Sequence, residues 1–230
     1  MPLALVGPEP DVTFYARQVA VHGSPVLVLG CANGRLAFAL AARGHEVTGV
    51  DPAKVMIHSA EERRGRENGE VASRVRFIAA DLRALRLSQR FPTVLAPKNA
   101  LGLMGSREDL EAFLATVRHH LVSGGALVFD VTNPGARGRA DVEREDVSEP
   151  LPEASRPLFA PHLRERKRRS DGREERAIRR LRLRQFEPVE IDTSLGEAGF
   201  VALERFGSFD GKPFDDDDAL QIVIAEKSST

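Results

Sequence analysis

Residues 26–51 read VLVLGCANGRLAFALAARGHEVTGVD, and the order of residue types in this stretch decides the fold. The apolar run 25–29 (PVLVL) stops at Gly30, which reads as a short strand buried on both faces. Residues 35–43 (RLAFALAAR) are Ala- and Leu-rich and close at Gly44, a helix with a glycine C-cap. Residues 46–50 form a second strand that ends at Asp51. A glycine at the first strand's end lets the chain turn sharply, and Gly34, one turn later, lets backbone approach a ligand closely. The dinucleotide fingerprint G-x-G-x-x-G would need glycine at Ala32 and Arg35 as well, and both positions fail. Asp51 follows Gly30 by 21 positions, where a carboxylate can accept both hydroxyls of a ribose. Its competing role is as a cap for a helix opened by Pro52 at its first position.

The same alternation extends outward. Residues 75–80 read as a third strand ending at Asp81, and residues 91–96 as a fourth stopped by Pro97. Residues 107–121 have the spacing of an amphipathic helix with Ser106 as N-cap, and Gly124-Gly125 turns the chain into a fifth strand at 126–131. Strand–helix alternation with right-handed crossovers predicts an α/β doubly wound sheet, whose ligands lie beyond the carboxyl ends of the strands. Gly30, Asp51, Asp81 and Pro97 all fall there.

Three parts follow: an α/β core over 1–135, an insertion over 136–186, and a helix with two strands over 187–230 that completes the sheet. Within the insertion, residues 162–186 hold ten Arg and one Lys against three Glu and one Asp, in a chain whose formal net charge is -1. The Asp171-Gly172 pair is a hairpin signal, although Ile178, Leu181 and Leu183 fit helix and strand templates about equally. Aromatic residues for base stacking are missing between His162 and Gln185, which argues against nucleic acid as partner. Asp215 to Asp218 supply an acidic counterpart in the same chain; the plain reading is a solvated surface hairpin, and the favoured functional ones are a cover over an acceptor pocket or a homodimer contact.

A composition of 42% hydrophobic and 29% charged residues suits a globular chain with a full core. The single cysteine, Cys31, excludes a disulfide framework, and no metal is expected. The opening MPLALVGPEPDV lacks the basic segment of a signal peptide, and no apolar run is long enough to span a membrane, so a cytoplasmic setting is expected.

With these residues in view, the chain resembles the class I S-adenosylmethionine-dependent methyltransferases. The segment VLVLGCANGRLA, then GHEVTGVD, is similar to the family's first motif and second strand. Phe14-Tyr15, the stretch RHHLVSGGALVFDVTNP and GSFDGKPF near the end resemble its small-molecule branch, which includes amino-sugar N-methyltransferases. The resemblance implies a seven-stranded Rossmann-like sheet of order 3-2-1-4-5-7-6 with the last strand antiparallel. It implies S-adenosyl-L-methionine as cofactor, held by Gly30, Cys31, Ala32, Asn33 and Gly34, by Asp51 and Pro52, by Asp81 and Leu82, and by Pro97. It also implies Tyr15 and Asn99 beside the reacting groups. Val28 stands where the family usually has an acid, Ala32 where it has glycine, Lys98 where it is aromatic or apolar, and Leu103 where it is often histidine.

These residues carry plainer readings too. Asp81 could cap a following helix, Cys31 is a small buried residue rather than a nucleophile, Tyr15 could be ordinary core, and His119-His120 is expected at an exposed helix end. The function expected is methyl transfer by in-line displacement to a small-molecule acceptor, an amine being preferred because the pocket implied by Pro97, Lys98, Asn99 and Leu103 holds no obvious base. A cofactor-binding homologue without turnover and an RNA-directed methyltransferase are the alternatives.

Overall fold

In a computed structural model, residues 9–135 and 183–228 are described, together with the backbone of 162–168 and 174–180. The elements in chain order are α1 (Pro10–His22), β1 (Val26–Leu29), α2 (Arg35–Ala41), β2 (Val47–Asp51), α3 (Lys54–Arg64), α4 (Gly69–Ser73), β3 (Val75–Ala79) and β4 (Phe91–Ala96). A 3-10 turn (Ala100–Leu103) leads to α5 (Arg107–His120) and β5 (Leu121–Thr132). Then come β6 (His162–Arg168), β7 (Glu174–Arg180), α6 (Pro188–Glu197), β8 (Phe200–Phe206) and β9 (Leu220–Lys227).

Seven strands form one sheet in the order β3-β2-β1-β4-β5-β9-β8, which is the expected order once the hairpin strands β6 and β7 are set aside. The first five pair in parallel, whereas β9 runs antiparallel to both β5 and β8. The Arg-rich hairpin also forms, with β6 and β7 antiparallel from His162 opposite Arg180 to Arg168 opposite Glu174. Its Asp171-Gly172 turn, and most of the 136–186 insertion, lie outside the described residues.

Strand alternation sorts side chains into two cores. Leu127, Phe129 and Val131 of β5 join the cluster under α5 and α6, with Phe113, Leu114, Phe186 and Ile191. Val128 faces the opposite cluster with Val28, Leu95, Tyr15, Phe38 and Leu40, under α1 and α2. Asp130 shares this second face, because it pairs with Ile222 of that cluster.

Several local expectations change. The helix after Asp51 starts at Lys54 with Ala53 as N-cap, so Pro52 does not occupy its first position. Gly124-Gly125 does not end the preceding segment, because β5 already begins at Leu121, which pairs with Phe91 across a register shift in β4. His120 is wholly buried rather than exposed: its Nε2 accepts the Leu87 amide at 2.9 Å, while Nδ1 lies 2.7 Å from the Thr116 carbonyl. Among the described residues no helix is long and apolar enough to cross a membrane.

Candidate active site

Parallel register brings the tips of β1 to β4 to one edge, since Leu29 pairs with Val50, Asp51 with Ala79, and Val28 with Leu95. The glycine loop is fixed there by backbone. Gly30 and Cys31 both donate to the Val50 carbonyl, at 2.8 and 3.0 Å, and Gly34 donates to Cys31 at 2.9 Å. Gly30 and Gly34 take φ of +74° and +81°, values that L-residues resist. Ala32 also lies in the left-handed region, at φ 47°, at the position where the family carries glycine. Asn33 is exposed and Cys31 is buried. Burial, followed by the Asp51 carboxylate, pushes the Cys31 thiol far above its ordinary range, which removes it as a nucleophile.

Asp51 is buried and divides its oxygens between two loops. Oδ2 accepts the Ala32 amide and Oδ1 the Ala53 amide, each at 2.9 Å. Each carboxylate oxygen has two acceptor sites, so both retain capacity for a ribose hydroxyl. The two roles weighed from sequence are therefore compatible, with an Asp51 turn replacing a true helix cap.

Asp81 precedes a turn, not a helix, so it caps none. It is half exposed and engaged by the Arg83 guanidinium, which also reaches Asp109 at 2.5 Å. The Arg83 side chain, with the Arg83 backbone amide, holds the Asp81 carboxyl at about 2. Leu82 is buried in the α5-side core, Pro97 is buried at the tip of β4, and Pro52 is exposed.

Past Pro97 the chain makes an unusual turn. Lys98 and Asn99 both adopt the left-handed conformation, with φ of 56° and 58°. This geometry costs an L-residue roughly 1–2 kcal/mol, less for asparagine. The compensating contact comes from β5: Asp130 accepts the Lys98 amide on Oδ1 at 2.8 Å and the Asn99 amide on Oδ2 at 3.1 Å. A third donor is Tyr15, whose hydroxyl lies 2.5 Å from Asp130 Oδ1. Burial, then the Asp130 carboxylate, raises the phenol well above its ordinary value, so it keeps its proton. Tyr15 thus spends its hydroxyl proton on Asp130, a contact that sequence reading did not foresee.

The Asn99 side chain is the opposite case. It is buried, yet among the described residues neither Oδ1 nor Nδ2 has a hydrogen-bond partner. A buried amide left unmet costs about 1–3 kcal/mol per group, so this one is suited to a ligand that offers both a donor and an acceptor. It lies against Gly102, where a Cβ would come within 2.9 Å of Nδ2.

Sequence reading missed two acids. Asp130 was visible as a lone carboxylate within the apolar run LVFDV. Asp11 of α1 gave no such signal. It is buried, pairs with Arg35 at the start of α2, and lies 3.3 Å from Lys98 Nζ. Burial works to raise its carboxyl, but Arg35 and then Lys98 outweigh it and hold the acid below its usual range. Helix α1 thus ties the glycine-loop helix to the β4 turn.

Comparison with known proteins agrees with this geometry. A family described as a methyltransferase domain matches residues 26–125. The cypemycin N-terminal methyltransferase of a Streptomyces species is 32% identical over 131 residues, which are 57% of this chain and 51% of that protein. The chain therefore spans about half the length of this curated relative. The solved CcbJ methyltransferase of Streptomyces caelestis superposes with a TM-score of 0.75 at 26% identity, covering 99% of both chains. The glycopeptide N-methyltransferase MtfA, solved with S-adenosyl-L-methionine, shares the fold at a TM-score of 0.67 and 22% identity, over 98% of this chain and 91% of that one.

Proposed function

Because the chain belongs to the class I S-adenosylmethionine-dependent methyltransferases, we propose that it methylates an amine on a small molecule or peptide. The observation that carries this reading is the buried amide of Asn99 past the tip of β4, which has no partner among the described residues and lies on the same sheet edge as the glycine loop and Asp51. The residues suit the cofactor. Asp51 keeps acceptor capacity for a ribose diol, the loop from Gly30 to Gly34 offers backbone for the amino-acid end, and Asp81 with Leu82 and Pro97 border the base. When bound, S-adenosylmethionine supplies a methyl group already activated on its sulfonium and open to in-line displacement.

The protein then has to orient and desolvate, which can supply roughly 7–11 kcal/mol of the barrier. Asn99 Oδ1 accepts an N–H of the incoming amine and so directs its lone pair, while Nδ2 donates to a neighbouring oxygen of the same molecule. An amine that arrives neutral needs no base, whereas an alcohol would. The acids of this region suit the amine: Asp130 already receives three donors, and Asp11 is paired with two cations. Two of the similar proteins are named for N-terminal or N-methyl transfer, which supports the same acceptor class. The Arg-rich hairpin serves as a cover for the acceptor or as a contact between two copies.

The test has two steps. Calorimetric titration with S-adenosylhomocysteine, with NAD beside it, should give binding for the first and none for the second. Incubation with S-adenosylmethionine and a panel of primary and secondary amines, alcohols and a short RNA should then add one methyl to amines alone. Methylation of RNA or alcohols but no amine would overturn the acceptor assignment. Binding of NAD in place of the sulfur cofactor would overturn the whole reading.

A further inference from the structure

We propose that Asp130 and Tyr15 are positioning residues for the acceptor site, and that their work is to hold Asn99 in the one backbone conformation that presents its amide. The proposal rests on the reading of Asn99 given above and gives Asp130 and Tyr15 a joint role in holding it.

Two consecutive non-glycine residues in the left-handed region do not stay there unaided. Here Asp130 binds both of their amides in a bidentate grip, one oxygen to Lys98 and one to Asn99. The acid comes from β5, the strand next to β4, so the grip ties the turn to a rigid neighbour. Burial raises the Asp130 carboxyl, and each donor it accepts works against that cost. Tyr15 supplies the third, reaching across from α1 to Oδ1; its ring packs edge-on against Phe14 and beside Phe209, and both Tyr15 and Asp130 are buried. Held this way, the Asn99 side chain points where none of the described residues gives it a partner, and it lies against the bare face of Gly102. Without the grip, Lys98 and Asn99 relax toward negative φ and the amide swings off its line.

The experiment uses the full chain and needs no acceptor for its first measurement. Amide hydrogen exchange at Lys98 and Asn99 should be slow in the wild type and at least about tenfold faster in Tyr15→Phe, with Val94 and Leu95 of β4 unchanged as a folding control. In the second measurement, methyl transfer to the amine substrate should fall about tenfold or more in Tyr15→Phe, while S-adenosylhomocysteine affinity stays within about threefold. In an Asn99→Ala background the same Tyr15→Phe change should cost nothing further, because the group being positioned is gone. Asp130→Asn, which turns one accepting oxygen into a donor facing a backbone amide, should repeat the pattern more strongly.

Unchanged exchange at Lys98 and Asn99 in Tyr15→Phe overturns the proposal. So does an equal loss of turnover with and without Asn99, which would mark Tyr15 as general scaffolding. If the wild type methylates no amine but the exchange result holds, the acceptor reading fails and the grip on the turn stands.

Discussion

Asp51 Oδ2 accepts the backbone amide of Ala32 at 2.9 Å, so the acid at the tip of β2 builds the glycine loop in addition to the ribose contact proposed for it. Substitution there removes two functions together. Hydrogen bonds to charged groups contribute roughly 1.5–3 kcal/mol each, so Asp51→Ala should weaken S-adenosylhomocysteine binding by at least about tenfold and also lower the melting temperature. Asp51→Asn separates the effects. Its remaining oxygen can still accept the Ala53 amide, while its amide nitrogen opposes that of Ala32. Calorimetry on both variants should show a loss in each, and an unaltered affinity in Asp51→Ala would reduce the residue to a turn former.

Ala32 offers a change in the opposite direction. Its φ of 47° is costly for alanine by roughly 1–2 kcal/mol, and glycine recovers about half of this after its larger unfolded-state entropy is subtracted. Ala32→Gly should therefore raise the urea midpoint modestly, by the equivalent of about 0.5–1 kcal/mol, with cofactor affinity unchanged or tighter. A drop in stability would show that the loop is held by side-chain contacts of Ala32.

Much of the sheet was legible because β1 to β4 are apolar-rich runs followed by Gly30, Asp51, Asp81 and Pro97, and those residues also fall at the site edge. The sheet order came from the family resemblance rather than from pattern. Harder to read were contacts made across long sequence distances. Helix α1 was recognised only as the pair Phe14-Tyr15, and no local pattern links Asp11 to Arg35 or Tyr15 to Asp130, which is 115 positions away. His120 was misplaced for a similar reason: it closes α5 in sequence, but the segment before β4 folds over it and Leu87 donates to its ring. The left-handed turn at Lys98-Asn99 has no glycine to announce it, because a neighbouring strand holds it in place.

His120 makes stability depend on pH. Burial lowers its pKa below the ordinary 6.5, against a partial rise from the Thr116 carbonyl. The folded ring stays neutral, with Nε2 accepting from Leu87, while the unfolded chain takes up the proton first as pH falls. Stability is thus complete above the unfolded value and declines as pH drops from about 6.5 toward the folded value. His119 shifts the same way and adds to the slope. Urea midpoints at about pH 7.5 and about pH 5 should differ in the wild type, and the difference should shrink in His120→Gln. An undiminished difference in the variant would assign the acid sensitivity elsewhere.

Gly102 gives the cleanest probe of Asn99 because it alters no hydrogen-bonding group. A Cβ at this position would stand 2.9 Å from Asn99 Nδ2 and 3.0 Å from Oδ1, too close for either atom to stay. The Asn99 side chain must then rotate or lift, and its amide loses the place from which it would meet an acceptor. The Gly102 backbone meanwhile keeps its hydrogen bond to the Arg184 amide, at 2.7 Å, since Gly102 has no positive φ and alanine adopts its conformation freely. Gly102→Ala should therefore melt close to the wild type and bind S-adenosylhomocysteine within about threefold, yet transfer methyl groups at least about tenfold more slowly. Asn99→Ala should show the same profile, and combining the two should add little. Full turnover in Gly102→Ala would mean that the Asn99 amide does not orient the acceptor, and the search for that group would move to the other side of the β4 turn.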